Sequence, residues 1–165
     1  MNAVVASGVP AADFAGGFDS AWLDFTKGLG APVGACLAGS RELIAGAWRF
    51  KQMMGGALRQ AGIVAAAGVY ALDHNVERLA EDHENARVLA EGIAELAGAR
   101  VDPTKVETNI VIFEVDDPPR VIEALASRGV EMGGMGPGRI RAVTHLDVDR
   151  AGIDTALGAL REVLG

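Results

Sequence analysis

Lys27 is the residue whose surroundings point most directly to chemistry. It follows a short apolar run, Ala21 to Thr26 with Trp22, Leu23 and Phe25, and precedes the turn-forming string Gly28-Leu29-Gly30-Ala31-Pro32. That order places a primary amine at the carboxyl end of a buried strand, where α/β sheets present their ligands. Apolar neighbours would strip water from the ammonium and favour the neutral amine, a nucleophile suited to forming a Schiff base. Taken alone, the string also suits a surface lysine on a turn, the commoner case. The other reactive groups say less. Cys36, in the apolar stretch Val33-Gly34-Ala35-Cys36-Leu37, reads as a small buried hydrophobe. As the sole cysteine it excludes an intrachain disulfide and fits a reducing compartment. His74, His83 and His145 lack metal-ligand spacing, so no metal site is expected. His83 reads as a hydrogen-bonded structural histidine and His145 as structural or near the site.

The elements that must position these groups follow from periodicity. Residues 1–19 read as an irregular lead-in with a turn of helix, and Val33 to Leu37 as a second short strand. Ser40 is a plausible N-cap, with Glu42 in the first turn. Leu43, Ala47, Phe50 and Met54 then recur at helical spacing, and Gly55-Gly56 ends that amphipathic helix. Ala57 to Leu72 is apolar almost throughout, which predicts a helix buried by its neighbours. Val76, Leu79, His83, Ala86, Leu89, Ile93 and Leu96 form the inner stripe of a long helix ending near Gly98. Its outer face carries Glu77, Arg78, Glu81, Asp82, Arg87 and Glu91. Thr108 to Val115 is a strand, and Pro118-Pro119 start a helix through Arg128 that Gly129 stops. Val130 to Met132 reads as a short strand, Gly133 to Gly138 as a flexible turn and Arg139 to Thr144 as another strand. A last helix runs from about Asp149 to Leu164. The order predicts a small antiparallel sheet covered on one face by helices. The boundary between the two parts is expected near residues 97–107.

Composition narrows the function classes. Half of the 165 residues are hydrophobic, which is globular and leaves apolar surface to bury against a partner or another domain. A net charge of −7 without a basic stripe excludes nucleic-acid binding. No apolar run is long enough to span a bilayer, and Met1-Asn2-Ala3-Val4-Val5-Ala6 lacks the positive start of a signal peptide. The default expectation is a cytoplasmic protein.

Five segments carry a resemblance. Thr26-Lys27-Gly28-Leu29-Gly30-Ala31-Pro32-Val33-Gly34 closely resembles the S-K-G-L-G-A-P-V-G segment of low-specificity L-threonine aldolases. Met53 to Gly62 resembles their G-G-G-M-R-Q-A-G segment, and Arg78 to Ala86 their R-L-x-E-D-H-x-N-A helix. Thr108-Asn109 matches a T-N strand start, and Ile140 to Val148 resembles V-R-L-V-T-H-L-D-V. The segments occur in family order and cover essentially the whole chain. The resemblance implies the α/β fold of pyridoxal-phosphate (PLP) transferases of the aspartate-aminotransferase type. Residues 1–97 would be the C-terminal portion of the large PLP-binding domain with a long connecting helix. Residues 98–165 would be a small α+β C-terminal domain.

The resemblance also implies roles. Lys27 would bond covalently to PLP. Arg141 would bind the substrate α-carboxylate, which its planar fork suits; by itself it is an arginine on a strand edge. Arg59, near the start of a helix, would contact the cofactor phosphate or the active-site region, with a plain surface arginine as the alternative. Many relatives have R-K where this chain has Lys51-Gln52, so an ionic role at Gln52 is lost. The implied reaction cleaves L-threonine, L-allo-threonine or a related β-hydroxy-α-amino acid to glycine and an aldehyde. A homo-oligomer, a homotetramer in the family, is also implied. Met1 to Pro10 resembles the family segment just after D-G-A-R-L, whose aspartate pairs with the PLP pyridine nitrogen. Little or no activity of the chain alone is therefore expected, with an exposed apolar face around Ala21–Phe25 and Val33–Leu37 and self-association. Two other readings stand beside this one: a β-eliminating lyase or phenylserine-type aldolase of the same fold, and a non-catalytic chain that needs a partner.

Overall fold

Two short helices, α1 (Asn2–Ser7) and α2 (Ala11–Ala15), open the chain where an irregular lead-in with one turn of helix was expected. The computed structural model covers residues 1–165 and divides into two units, Met1–Arg78 and Leu79–Gly165. No helix is long and apolar enough to cross a membrane.

In the first unit, β1 (Ser20–Asp24) pairs antiparallel with β2 (Ala35–Gly39), setting Trp22 opposite Leu37 and Asp24 opposite Ala35. Helix α3 (Arg41–Met53) starts where Ser40 caps it: the Ser40 hydroxyl accepts from the Leu43 amide at 3.1 Å. Helix α4 (Ala61–His74) follows the turn after Gly55, whose φ of 78° is left-handed. Little of this unit is buried. Leu29, Ala31 and Ala71 are its only buried hydrophobic residues. The strand expected to be buried is not: Trp22 is 66 % exposed, and every residue of β2, Cys36 included, is exposed. The apolar helix expected to be enclosed shows Ile63, Val69, Tyr70 and Leu72 to solvent. The reason is common to all three: the hairpin has only two strands, and the helices of the unit leave most of these faces open. The apolar surface anticipated around Ala21–Phe25 and Val33–Leu37 is thus present, with Val33 and Leu37 exposed beside Trp22.

The second unit holds the core. Helix α5 (Leu79–Ala94) packs its Leu79, Ala86, Leu89 and Ile93 stripe inward. Asp82, expected on the outer face, is fully buried instead, and His83 is only partly so. Strands β3 (Ile110–Glu114), β4 (Gly133–Gly134) and β5 (Arg139–Val143) form an antiparallel sheet in the order β3-β5-β4. The short strand expected at Val130–Met132 lies one step later, because Gly133 and Gly134, read as turn, pair with Arg141 and Ile140. Helices α5 and α6 (Pro118–Ala126), the latter capped by Asp117, pack on the sheet, and α7 (Arg150–Leu164) packs against both; Asp149 caps α7, its carboxylate accepting from the Gly152 amide at 2.8 Å. Val111, Phe113, Ile140, Leu125, Ile153 and Leu160 meet helix α5 residues in a single core. Gly92 permits the close approach of α7, since a Cβ there would lie 2.5 Å from Leu157 Cδ2. The compact units divide between Arg78 and Leu79, ahead of the boundary expected near 97–107. Helix α5, read as a connection belonging to the first part, supplies one wall of the second unit's core.

Candidate active site

Lys27 sits on the segment that joins β1 to β2, and the segment is held at many points. The ladder continues one step as the Phe25 amide donates to the Gly34 carbonyl at 3.1 Å. The Ala31 amide donates to the Phe25 carbonyl at 2.8 Å, and the Gly30 amide to the Lys27 carbonyl at 2.9 Å. Gly30 takes a left-handed φ of 69°, which this tight turn requires and a side chain would resist. Asn75 Nδ2, at the end of α4, donates to the Leu29 carbonyl at 2.7 Å. Leu29 and Ala31 are buried beneath the turn. A loop so bonded in an otherwise thinly packed unit holds its backbone in a defined conformation.

The lysine it presents faces outward. The Lys27 side chain is 78 % exposed, and Nζ lies 3.8 Å from Asp24 Oδ2. The desolvation expected from its neighbours is therefore absent, because the Lys27 side chain lies in solvent and Trp22 is itself exposed. Asp24 has other partners: the Thr26 hydroxyl donates to Oδ1 at 2.6 Å and the Thr26 amide at 2.8 Å. These bonds, with a smaller contribution from the Lys27 ammonium, hold the Asp24 carboxyl below the usual carboxylate range. Asp24 and Thr26 were not singled out from sequence. Asp-x-Thr before a turn was the available signal, since an aspartate there bonds the backbone two residues on.

Arg59 lies in the same unit, in the exposed turn just ahead of α4. Its guanidinium has no ion pair or hydrogen bond, and it is not bonded to Lys27. Arg141 belongs to the second unit, on the face of the sheet away from the helices. Ile112 lies opposite it on β3 and Gly133 on β4. Ile110, Ile112 and Val143 are exposed around it, so its charge stands on an apolar sheet face with no carboxylate partner. Glu114, on the same strand as Ile112, is engaged by Arg100 Nε at 3.3 Å. His145 Nδ1 lies 3.5 Å from Asp147 Oδ2 in the loop after β5. His83 is pushed below the ordinary histidine range by burial, a shift that the nearby Asp82 opposes. No three of the His, Cys, Asp and Glu residues are grouped to hold a metal ion.

The arrangement offers one accessible amine on a rigid turn and two guanidiniums free to bind anions. Comparison with known proteins gives this donor set a context. The curated relatives include low-specificity L-threonine aldolase of Escherichia coli K12, 43 % identical over 91 % of this chain and 44 % of its own length. Low-specificity L-threonine aldolase 1 of Arabidopsis thaliana is 33 % identical over 99 % of this chain and 47 % of its own length. The chain spans about half the length of the curated relatives it matches. Among solved structures, a protein of Exiguobacterium provisionally classed as an aromatic amino acid beta-eliminating lyase/threonine aldolase superposes with a TM-score of 0.78 at 24 % identity. That superposition covers 99 % of this chain and 50 % of the other. A PLP-dependent aminotransferase from Streptococcus suis superposes with a TM-score of 0.66 at 13 % identity, over 87 % of this chain and 41 % of the other. The fold is accordingly that of the C-terminal part of the aminotransferase-like α/β enzymes. The family model for beta-eliminating lyases matches residues 1–116, well over half of the sequence, and the chain belongs to the beta-eliminating lyase family.

Proposed function

We propose that this chain carries the cofactor lysine and the carboxylate-binding arginine of a PLP-dependent carbon–carbon lyase. The substrates would be β-hydroxy-α-amino acids such as L-threonine and L-allo-threonine, and the products glycine and an aldehyde. One observation supports the reading above others. The exposed Lys27 amine stands on a turn pinned by five hydrogen-bonded anchors, in a sequence 43 % identical to the Escherichia coli threonine aldolase.

The donor set suits the cofactor. Lys27 Nζ is the amine to which its aldehyde carbon would attach. Arg59 would meet its phosphate, beside the first turn of α4, where amide N–H groups lack partners. When bound, the cofactor supplies a sink for the electron pair left at Cα as the Cα–Cβ bond breaks. The chain's own residues do the placing. Arg141 would grip the α-carboxylate with two parallel bonds, which fixes the rotation of the substrate about its N–Cα bond and so selects the bond to be broken. Asp24, kept ionised by Thr26, would hold the Lys27 ammonium near the strand end before the cofactor arrives. The residues of 1–97 would form part of the large PLP-binding domain and those of 98–165 the small domain.

Borohydride trapping tests the reading. The chain has three lysines, Lys27, Lys51 and Lys105. Incubation with PLP, reduction and peptide mass mapping is expected to place the adduct on Lys27 and to lose it in Lys27→Ala. An adduct on Lys51 or Lys105 instead would overturn the assignment. With L-threonine as substrate the released carbon product discriminates further. Acetaldehyde supports aldol cleavage, whereas a 2-oxo acid with ammonia would identify the β-eliminating alternative.

A further inference from the structure

The chain buries four polar or charged residues, Asp82, Asn85, Asn109 and Thr144, and all lie in the second unit. They gather where α5 begins, β3 begins and β5 ends. A buried polar group left without a partner is destabilising, so four in one place need a structural reason. Asn85, Asn109 and Thr144 use their side chains to bond backbone carbonyls of distant segments. The Thr144 amide donates to the Asn109 carbonyl at 3.0 Å, and Asn109 Nδ2 donates to the Thr144 carbonyl at 2.9 Å. These two bonds extend the β3–β5 ladder one pair past Ile110 and Val143. The Thr144 hydroxyl donates to the Asp82 carbonyl of α5 at 2.6 Å, and Asn85 Nδ2 to the Val148 carbonyl at 3.2 Å.

The burial pattern of β5 leaves one question that this cluster answers. Ile140 and Ala142 face the helices, and Arg139, Arg141 and Val143 face away. That alternation has a period of two. It decides which face each side chain takes, but a slip of two residues would keep every side chain on its face. Such a slip would carry Arg141 about 7 Å along the sheet, away from Ile112. It would also leave Asn109 and Thr144 buried without their present partners. The polar cluster thus adds a penalty against the slipped register that the alternation of faces does not supply.

We propose that Asn109, Thr144 and the Asp82 carbonyl form a register lock that positions the Arg141 guanidinium for a substrate carboxylate. The proposal rests on the reading of Arg141 given above. Thr144 and Asn109 are positioning residues: neither reaches the open face of the sheet, and both act through Arg141.

The test uses the full chain with Thr144→Val, Thr144→Ser and Asn109→Ala, each with Arg141 present and with Arg141→Ala. Two quantities are read. Cross-strand backbone NOEs between Ile112 and Arg141 report the register, and glycine affinity of the PLP-incubated protein, followed by cofactor absorbance, reports Arg141. Thr144→Val is expected to weaken the Ile112–Arg141 contact and to lower glycine affinity by at least about tenfold, as ångström-scale misplacement does. Thr144→Ser should restore both. With Arg141→Ala the same substitutions should have no further effect on glycine. Asn109→Ala removes a single side-chain bond and serves if Thr144→Val does not fold. Unchanged NOEs and unchanged glycine affinity in folded variants would overturn the lock. So would equal losses of affinity with and without Arg141. If Arg141→Ala alone binds glycine as well as the parent chain, the carboxylate role of Arg141 fails, and the NOEs still decide the register.

Discussion

The two units of this chain are built from similar material and use it differently. In Leu79–Gly165 the apolar side chains of three helices and a sheet meet in one core, with Phe113, Ile140 and Leu160 fully buried. In Met1–Arg78 the helices and hairpin form with the same local signals, yet Trp22, Trp48, Phe50, Met53 and Ile63 stay exposed. An apolar groove of about 750 Å³ runs between the first two helices and β1, lined by Val4, Phe14, Phe18, Trp22 and Phe25. Local structure and burial are therefore separable. Caps, turns and periodicity make the elements, but only a second layer makes a core. The part of the first unit that escapes this weakness is the loop bearing Lys27, where hydrogen bonds act together with the buried Leu29 and Ala31.

The largest expected contrast is between equivalent aromatic truncations. Phe113→Ala should cost about 3–5 kcal/mol in chemical denaturation, through a cavity that the helices cannot fill. Trp22→Ala should change the same transition by less than about 0.5 kcal/mol, because a largely exposed ring on an open groove has little packing to lose. Comparable losses at both positions would show that the hairpin is covered in solution. Next, the double substitution Trp22→Ser and Leu37→Ser should reduce self-association measured by sedimentation velocity, since it removes an exposed apolar cross-strand pair. No change in sedimentation would mean that other surfaces drive contact.

Helix caps give a smaller and more pointed comparison. Ser40 and Asp149 each accept from an amide three residues on. Asp149→Ala should cost about 1 kcal/mol in global unfolding. Ser40→Ala should leave the main transition in place, because α3 contributes nothing to the core that sets it. The smallest effect concerns pH. His83 in the folded chain titrates below its ordinary value of 6.5. The unfolded chain therefore binds more protons between the two values, and stability rises with pH across that window. This contribution is present above pH 6.5 and is lost as pH falls toward the folded value. Thermal scans of His83→Gln against the parent chain should run parallel above pH 6.5 and part in acid, where the parent loses stability that the variant, with no buried imidazole to charge, keeps. A constant difference would remove burial as the cause.

Element positions were largely readable in advance. Ser40, Asp149, Gly129 and the Pro118-Pro119 pair mark helix ends by local chemistry that needs no tertiary information. Asp82 shows where such reading stops. Helical spacing put its charge outside, yet its carbonyl receives the Thr144 hydroxyl and its side chain is enclosed. Gly133 and Gly134 read as turn, because glycine has weak strand preference, and pair only because β5 offers them a ladder. At the candidate site, the segment around Lys27 was recognisable from its own residues, whereas the Asp24–Thr26 anchor and the isolation of Arg141 on its sheet face were not singled out.

What the sequence by itself determined is local: the helices, their caps, the left-handed glycine turns and the placement of a lysine after a strand. Each depends on groups a few residues apart, whose interactions survive in any surroundings. What only the tertiary structure decided is which apolar faces are covered, where the two units divide and which register holds Arg141. Those depend on bonds and contacts between residues as distant as Asp82 and Thr144, where desolvation makes one partner's worth conditional on the other's position.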